Sequence, residues 1–253
     1  HGFTLGEAEI STPKSLKTAG EVIPQIIANV SSNMYGGVSA HRLDEFLEPY
    51  AVISYRKTLK KNFARMAEFD GVVLTEDEID SLADYYASQI EQTDNEFKIE
   101  FIDVKKIDSG LSEKTVQFVV EISKKDVVKE VFDTFQSLET EISSLFSGNG
   151  QTPFVTFNFG LSTGFWGREI QKGILQNRLI GLGEDHRTPV FPKLVFTLKD
   201  GVNLKKTDPN YDIKRLAVEC SAKRIYPDIL SYEKVMEIYG FFVSPMGCVA
   251  GDE

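Results

Sequence analysis

Residues 152–198 read TPFVTFNFGLSTGFWGREIQKGILQNRLIGLGEDHRTPVFPKLVFTL, and this stretch decides the fold. Residues 152–159 are rich in aromatic and β-branched side chains, which predicts a strand. Residues 168–180 carry apolar side chains at helical spacing and end at Gly181, which predicts a helix. Residues 190–198 predict the next strand. A strand, a helix and a strand in this order predict two parallel strands joined by a crossover helix.

The same alternation continues towards the end of the chain. Asp208 followed by Pro209 predicts the start of a helix, with Asp208 as its cap. Residues 226–230 and 241–244 predict short extended segments, and residues 231–239 predict the helix between them. We therefore predict an α/β fold. In an α/β barrel, functional residues would lie at the carboxyl ends of the strands.

Two amphipathic helices are predicted near the start of the chain. Residues 21–34 have apolar side chains at helical spacing, with Pro24 in the first turn and a glycine pair after the end. Ser39 predicts the cap of the following helix. Two such helices either form an interface or cover a sheet, and the sequence leaves both readings open.

Residues 56–125 differ in character and predict a small α+β insertion. Residues 75–78, TEDE, form a capping box that opens a helix. Residues 97–101 alternate between apolar and polar side chains, and residues 116–120 are a short, mainly apolar run, which together predict the two strands of a hairpin. Residues 125–146 then predict a long helix.

The composition excludes several classes of protein. The chain has 253 residues, of which 42% are hydrophobic and 26% charged, as in ordinary soluble globular proteins. Since no run reaches about 18 apolar residues, we expect no membrane span, and the start lacks the pattern of a signal peptide. The net charge of −10 argues against a nucleic-acid binder. Two cysteines make no disulfide framework, which favours a reducing cytoplasm. Both ends look cut, so we expect an internal part of a longer protein.

Cys248 is the sharpest candidate for chemistry. It follows Pro-Met-Gly at the end of an apolar extended segment, and such a loop can hold a sulfur at a defined point. The alternative is an unremarkable small apolar residue in a turn. Cys220, by contrast, shares a helix face with Ile213 and Ala217, which predicts burial.

A second candidate is the glycine-containing loop before the strand at 152–159. Its glycines let a ligand approach the backbone, and its amide side chains offer donors and acceptors. The alternative is a helix C-cap followed by an ordinary loop. The loop consists of Gly148, Asn149, Gly150, Gln151 and Thr152.

No metal site is predicted. The three histidines, His1, His41 and His186, show no metal-ligand spacing with one another or with the cysteines. Four basic residues could bind phosphates, although such residues more often lie at the surface or in salt bridges. These are Arg168, Arg178, Lys193 and Lys214.

Seven motifs follow one another in the second half of the chain. They are FDTFQSLE at 132–139, NGQTPFVTF at 149–157, NRLIGLG at 177–183, VFPKLVF at 190–196, DPNYDIK at 208–214, RIYPDIL at 224–230 and PMGC at 245–248. In order and spacing they resemble the anaerobic (class III) ribonucleoside-triphosphate reductases, which are glycyl radical enzymes. Residues 1–55 also resemble this family, whereas residues 56–125 are longer than and unlike the forms known to us.

The resemblance implies both a fold and a reaction. The fold would be the N-terminal half of a ten-stranded α/β barrel. Cys248 matches the cysteine of the finger loop inside that barrel, which a glycyl radical elsewhere in the enzyme oxidises to a thiyl radical. The thiyl radical abstracts the ribose 3′-hydrogen of a ribonucleoside triphosphate, the 2′-hydroxyl leaves as water, and formate is the reductant. A reactive sulfur of this kind must be buried and rigidly held.

The resemblance also implies regulation and partners. The loop Gly148 to Thr152 would link the specificity-effector site, which takes dNTP or ATP, to the substrate base. The helices within 21–54 would pair across a homodimer and help to build that effector site. A radical-SAM enzyme would install the glycyl radical. The radical glycine, the zinc site, the ATP-binding N-terminal domain and a second barrel cysteine would lie outside this chain, so the chain alone would be inactive.

Three alternatives remain open on the sequence. The ending Cys-Val-Ala-Gly-Asp looks like the opening of an intein, in which case Cys248 would be the splicing nucleophile. The chain could instead come from another glycyl radical enzyme of the pyruvate formate-lyase type. It could also be a non-catalytic nucleotide-binding or dimerisation module. Base specificity and the effector rules are not readable from the sequence.

Overall fold

The computed structural model describes residues 3–5, 8–33, 37–92, 110–145 and 152–244, with backbone alone at 3–5, 8–10, 91 and 92. Strands and helices alternate along most of this length. In chain order they are β1 Phe3–Leu5, β2 Ala8–Ile10, α1 Leu16–Asn33, β3 Val38–Ala40, α2 Leu43–Phe69, α3 Glu76–Gln92, α4 Glu113–Ser144, β4 Val155–Phe159, α5 Phe165–Ile180, β5 Lys193–Leu198, α6 Tyr211–Arg224, β6 Asp228–Ser231 and α7 Tyr232–Tyr239.

Four parallel strands form the central sheet, in the order β3-β4-β5-β6. All five residues of β4 are buried, because helices cover the sheet around this central strand. Helix α5 connects β4 to β5, and α6 connects β5 to β6, as the alternation in the sequence predicted. The α/β class and the parallel crossovers are therefore confirmed. A separate antiparallel pair, β1 and β2, opens the chain.

Helix α2 organises the core. Every fourth residue along it is buried, in a continuous series from its first residue to its last turn. Because four residues exceed one helical turn, such a stripe rotates by about 40° at each step and winds around the helix. Helix α2 accordingly packs against α1, α3, α4 and α5. The stripe consists of Leu43, Leu47, Ala51, Tyr55, Leu59, Phe63 and Ala67.

The predicted strand at 116–120 is wrong, because these residues lie in the first turns of α4. Val116, Val119 and Val120 are buried at helical spacing, whereas Phe118 is 54% exposed. Ser112 caps the helix by accepting a 3.1 Å hydrogen bond from the backbone N–H of Thr115. The described part of the predicted α+β insertion is thus helical, and its expected start at residue 56 falls inside α2. The partner strand predicted at 97–101 lies outside the described residues.

Two predicted starts near the N-terminus are also corrected. Helix α1 begins at Leu16, so Pro24 lies in the interior rather than in the first turn. The earlier start has a local cause, since Ser15 Oγ accepts the Thr18 N–H at 3.1 Å. Ser39 is not a helix cap, because it lies in β3, and α2 begins only at Leu43.

Further along, three predicted helices are confirmed and one start is shifted. Helix α3 opens with the predicted capping box, in which the Thr75 N–H donates to Glu78 Oε2 at 2.8 Å. Helix α5 ends at Gly181 as expected, and Ser231 caps α7. Asp208 does not cap α6, whose N-cap is Asn210, because the Asp208 side chain instead accepts the backbone N–H of Lys205.

Neither a membrane-crossing helix nor a metal cluster occurs in the described residues. None of their helices combines the length and apolarity needed to cross a bilayer. Within the same residues, no three His, Cys, Asp or Glu side chains are arranged to hold a metal ion.

A buried ion pair ties α4 and α5 to the start of β5. Arg178 has no exposed side-chain surface, and its Nε lies 2.5 Å from Glu139 Oε1. Its Nη2 donates to the carbonyl of Pro192 at 2.6 Å. Burial raises the pKa of Glu139, and the guanidinium of Arg178 opposes that rise.

We expect Arg178→Met to lower the free energy of unfolding by about 3–5 kcal/mol, because it leaves the Glu139 carboxylate buried without its partner. Urea denaturation measures this loss. Arg187→Met is the matched control, since its ion pair with Asp185 is exposed, and should cost at most about 1 kcal/mol. Adding Glu139→Met to Arg178→Met should recover much of the stability. A loss below about 1 kcal/mol for Arg178→Met would contradict the role of the pair.

Candidate active site

The described residues that flank the two predicted sites lie at opposite ends of the sheet. Thr152, the described member of the loop Gly148 to Thr152, precedes β4 and lies at the amino end of the sheet. There the Val38 N–H donates to the carbonyl of Phe154 at 2.7 Å. Cys248 and residues 148–151 lie outside the described residues. The described segment that leads towards Cys248 lies at the opposite, carboxyl end of the sheet, where Phe242 contacts Tyr232.

The carboxyl end of the sheet is where α/β proteins concentrate their functional groups. His41 and Arg42 follow β3 there, and Tyr232 follows β6. Arg42 has a left-handed backbone with φ of 51°, which is uncommon for a residue other than glycine. Its N–H donates to Asn158 Oδ1 at 3.4 Å, and its side chain pairs with Glu45. The turn between β3 and α2 is thereby fixed from both sides.

Asp44 anchors the loop that follows β4. Its side chain is fully buried, and its Oδ2 accepts three consecutive backbone N–H groups, from Gly160 at 3.1 Å, Leu161 at 3.0 Å and Ser162 at 2.9 Å. The Gln171 amide donates to the same oxygen at 2.8 Å. Burial raises the pKa of Asp44, and the hydrogen bonds from the loop backbone oppose that rise. This side chain therefore acts as a structural hydrogen-bond acceptor that shapes the loop.

Glu48, one turn further along α2, holds the same loop. Its Oε2 accepts the hydroxyl of Ser162 at 2.6 Å, and its Oε1 accepts the Gly167 N–H at 3.2 Å. A Cβ on Gly167 would lie 1.9 Å from Ser162 Oγ, so only glycine allows this approach. Two carboxylates of α2 thus fix the connection between β4 and α5.

Three buried asparagines complete the polar network at this end of the sheet. Asn158 Nδ2 donates to Thr197 Oγ1 at 2.8 Å and so joins β4 to β5. Asn203 Nδ2 donates to the carbonyls of Gly160 and Thr197 at 2.8 and 2.9 Å. Asn210 Nδ2 donates to the Ser162 carbonyl at 2.6 Å. Because each of these amides donates to a buried acceptor on another segment, the three asparagines form a rigid scaffold rather than a set of free acids and bases.

His41 stands at the edge of this scaffold. Burial lowers the pKa of His41 below its ordinary value, the nearby Arg42 adds to the decrease, and Glu45 opposes it. Its ring centroid lies 5.0 Å from that of Phe242. A neutral imidazole at neutral pH suits this contact with an aromatic ring.

The four basic residues considered for phosphate binding are used internally. Arg168 pairs with Asp212 and donates to Asn210 Oδ1 at 2.6 Å, and Arg178 is the buried partner of Glu139. The salt-bridge alternative is confirmed for these two. The Lys214 Nζ donates to the Leu204 carbonyl at 2.5 Å. The Lys193 Nζ lies 5.9 Å from the ring centroid of Tyr226.

Cys220 has the structural role that the sequence predicted. It is fully buried, and its thiol donates to the Leu175 carbonyl at 3.7 Å. Burial raises the pKa of this thiol to about 11, which leaves it unreactive at neutral pH.

Sequence reasoning missed the importance of Asp44, Gln171, Phe242 and Tyr232. Asp44 could not be recognised, because the backbone N–H groups that it accepts are more than a hundred residues away in the chain. An acidic residue near the start of a helix is common, so its position after the cap predicted at Ser39 gave no separate signal.

Comparison with known proteins identifies the family. The family model for anaerobic ribonucleoside-triphosphate reductase matches residues 1–250. An anaerobic ribonucleoside-triphosphate reductase of Haemophilus influenzae is 45% identical over 247 residues, which is 98% of this chain and 28% of that protein. The Escherichia coli protein of the same name is 43% identical, with the same coverage of both chains. The Enterobacteria phage T4 protein of that name is 41% identical over 250 residues, 98% of this chain and 33% of its own length.

The match runs through the residues that build the scaffold at the carboxyl end of the sheet, since it covers nearly the whole chain. The chain spans about a third or less of the length of these curated relatives. The chain belongs to the anaerobic ribonucleoside-triphosphate reductase family.

Proposed function

We propose that the protein containing this chain reduces ribonucleoside triphosphates to deoxyribonucleoside triphosphates without oxygen, by thiyl radical chemistry. The observation that carries this proposal is the family match across residues 1–250, together with 41–45% identity to reductases. The position of the segment that leads to Cys248 supports it, because this segment starts at the carboxyl end of a parallel sheet.

Cys248 is the catalytic residue in this proposal. A glycyl radical in another part of the protein supplies the oxidising equivalent that converts a cysteine thiol into a thiyl radical. The Cys248 sulfur then takes the 3′-hydrogen of the ribose, and the 2′-hydroxyl leaves as water after protonation. Formate supplies the two electrons and becomes carbon dioxide, so ribonucleotide and formic acid yield deoxyribonucleotide, carbon dioxide and water. The sulfur is returned to the thiol at the end of each cycle.

The loop of Gly148 to Thr152 is proposed to pass information from a dNTP or ATP effector to the substrate base. Thr152, the described member of this loop, precedes β4 at the amino end of the sheet, away from the scaffold of Asp44.

The helices within residues 21–54 are proposed to form a homodimer interface. Apolar side chains exposed on α1 and α2 support this, with Ile26 at 37%, Phe46 at 56% and Ile53 at 37%. Singly exposed apolar residues are normal, but three on adjacent helices are typical of a contact surface.

The remaining elements of the proposal concern the rest of the protein. The four parallel strands would be part of the first half of a ten-stranded barrel, in which residues 56–125 are a divergent insertion. A radical-SAM enzyme would be the activating partner, the zinc site would lie in another segment, and the protein would work in the cytoplasm. None of the described residues is assigned to zinc, because they contain no metal-binding group of three.

The test uses the full-length protein, activated anaerobically and supplied with formate and one ribonucleoside triphosphate at a time. Deoxynucleotide formation, with carbon dioxide released from labelled formate, is the expected result. A glycyl radical signal without any deoxynucleotide product would reject the proposal. Tight binding of deoxynucleoside triphosphates without turnover would instead favour the non-catalytic nucleotide-binding module.

A further inference from the structure

The last described residues of the chain lie at the carboxyl end of the sheet and contact residues that directly follow both of its outer strands. The ring of Phe242 lies 5.0 Å from the ring of His41, which follows β3. The same ring stacks on Tyr232, the first residue after β6, with centroids 5.0 Å apart and planes tilted by 20°. Since β3 and β6 are the outer strands, one side chain joins two edges that the sheet itself keeps apart.

A third strand contributes to the same cluster. The ammonium group of Lys199, which follows β5, lies 4.5 Å from the ring centroid of Tyr232. We call His41, Phe242 and Tyr232 the aromatic bridge. Phe242 and Tyr232 are partly buried, whereas the neighbouring Phe241 is 62% exposed. The chain thus places one of two adjacent phenylalanines into the cluster and leaves the other at the surface.

The scaffold described above makes the bridge a fixed anchor. His41 is followed by Arg42, whose backbone is held by Asn158, and then by Leu43 and Asp44, which are fully buried. On the other side, Tyr232 follows the N-cap Ser231, whose hydroxyl accepts the Lys234 N–H. His41 and Tyr232 therefore both adjoin elements that hydrogen bonds hold in place. Phe242 attaches the last described segment of the chain to these two fixed residues.

We propose that the aromatic bridge anchors the root of the loop that carries Cys248, which makes His41, Phe242 and Tyr232 positioning residues for radical transfer and hydrogen abstraction. This inference rests on the proposed function for its catalytic consequence. Phe242 precedes Cys248 by six residues. Hydrogen transfer is sensitive to placement, and an error of about 1 Å in a reacting group can cost about 100-fold in rate. If Phe242 is held in place, the residues that follow it can adopt fewer conformations, which limits the positions available to Cys248.

The first test measures turnover in the full-length protein. Phe242→Ala should lower kcat by about 10-fold or more, with the KM for the nucleotide within about twofold of the parent. The glycyl radical content, measured by EPR, should stay at the parent value. Phe242→Tyr keeps the ring and should recover at least half of the activity. His41→Phe should likewise retain turnover, whereas His41→Ala should lose it.

The inference would be overturned if the decrease in kcat were matched by an equal decrease in glycyl radical content or in the fraction of folded protein. A general loss of structure would then explain the lower turnover. Unchanged kcat in Phe242→Ala would also overturn it. If Phe242→Ala does not fold, Tyr232→Leu tests the same contact from the other side. Full turnover in a variant without Cys248 would reject Cys248 as the catalytic residue and leave the anchor to be judged by the second test alone.

The second test measures the anchor without catalysis. Iodoacetamide alkylation of the full-length protein is followed by peptide mass spectrometry at Cys248, with the buried Cys220 as the internal reference. Phe242→Ala should raise the alkylation rate of Cys248 several-fold and leave Cys220 slow. Phe241→Ala is the matched control and should alter neither rate. Equal rates at Cys248 in Phe242→Ala and parent, or equal acceleration at both cysteines, would reject the anchor.

Discussion

Replacing Cys248 by serine in the full-length protein should abolish the proposed deoxynucleotide formation, with a loss of at least about 1,000-fold, which corresponds to about 4 kcal/mol in the activation free energy. The reason is chemical. A thiyl radical can take a hydrogen atom from a ribose carbon and return it, whereas the O–H bond of serine is too strong for its oxygen to be oxidised by a carbon-centred radical. The glycyl radical should still form in this variant, and EPR measures it independently of turnover.

Cys220→Ala is the matched control for this replacement. Cys220 is fully buried in α6, and its thiol bonds only weakly to the Leu175 carbonyl. We expect its replacement to leave turnover within about twofold of the parent, with a modest loss of stability from the small cavity. Turnover in Cys248→Ser close to that of the parent would show that the proposed catalytic residue is wrong.

The intein alternative gives a different result for the same replacement. If Val249 to Glu253 belong to an intein, Cys248→Ser would impair splicing, and the unspliced precursor would be visible by its larger mass. The reductase cysteine would then follow the intein, and its own replacement would abolish turnover. Reading the sequence beyond Glu253 separates the two cases before any assay is done.

Elements with local signals could be predicted from the sequence. The capping box at Thr75 and the cap at Ser231 are formed by residues three positions apart, so both are visible in a short window of sequence. The parallel sheet followed from the alternation of strands and helices between residues 152 and 239. The family resemblance rested on the same conserved-looking motifs and was confirmed by the match over residues 1–250.

Elements decided by tertiary contacts could not be predicted in this way. Ser39 and Asp208 are chemically able to cap helices, but Ser39 pairs with Thr156 in the sheet and Asp208 closes a turn with Lys205. Residues 116–120 read as a strand because a short apolar run is compatible with either period. The packing of α4 against α1 and α2 decides between the two periods and makes these residues helical.

The candidate site shows the same division. Cys248 and the loop of Gly148 to Thr152 were chosen from sequence and resemblance, and their roles stay predictions. The scaffold around Asp44 and the aromatic bridge depend on partners that are far apart in the chain, such as His41 and Phe242. No local sequence pattern predicts a contact between residues so far apart in the chain. The structure was therefore needed to find the scaffold around Asp44 and the aromatic bridge.

Asp44→Ala should be the most damaging replacement for the stability of the described fold. It leaves four donors, the N–H groups of residues 160–162 and the amide of Gln171, without their acceptor in a buried place. Each unsatisfied buried donor costs about 1–3 kcal/mol, so we expect a loss of at least about 4 kcal/mol in the free energy of unfolding. Urea denaturation measures the loss, and faster amide hydrogen exchange at residues 160–162 localises it.

Two further replacements test whether the carboxylate itself is responsible. Asp44→Asn keeps one oxygen that can accept these bonds but loses the charge, so it should cost about 1–3 kcal/mol. Asp77→Ala removes an exposed aspartate from the first turn of α3 and should cost no more than about 1 kcal/mol. If Asp44→Ala were as stable as Asp77→Ala, the loop after β4 would not depend on this carboxylate. Because the loop lies at the same end of the sheet as the aromatic bridge, loss of the Asp44 anchor should also lower the proposed turnover of the full-length protein.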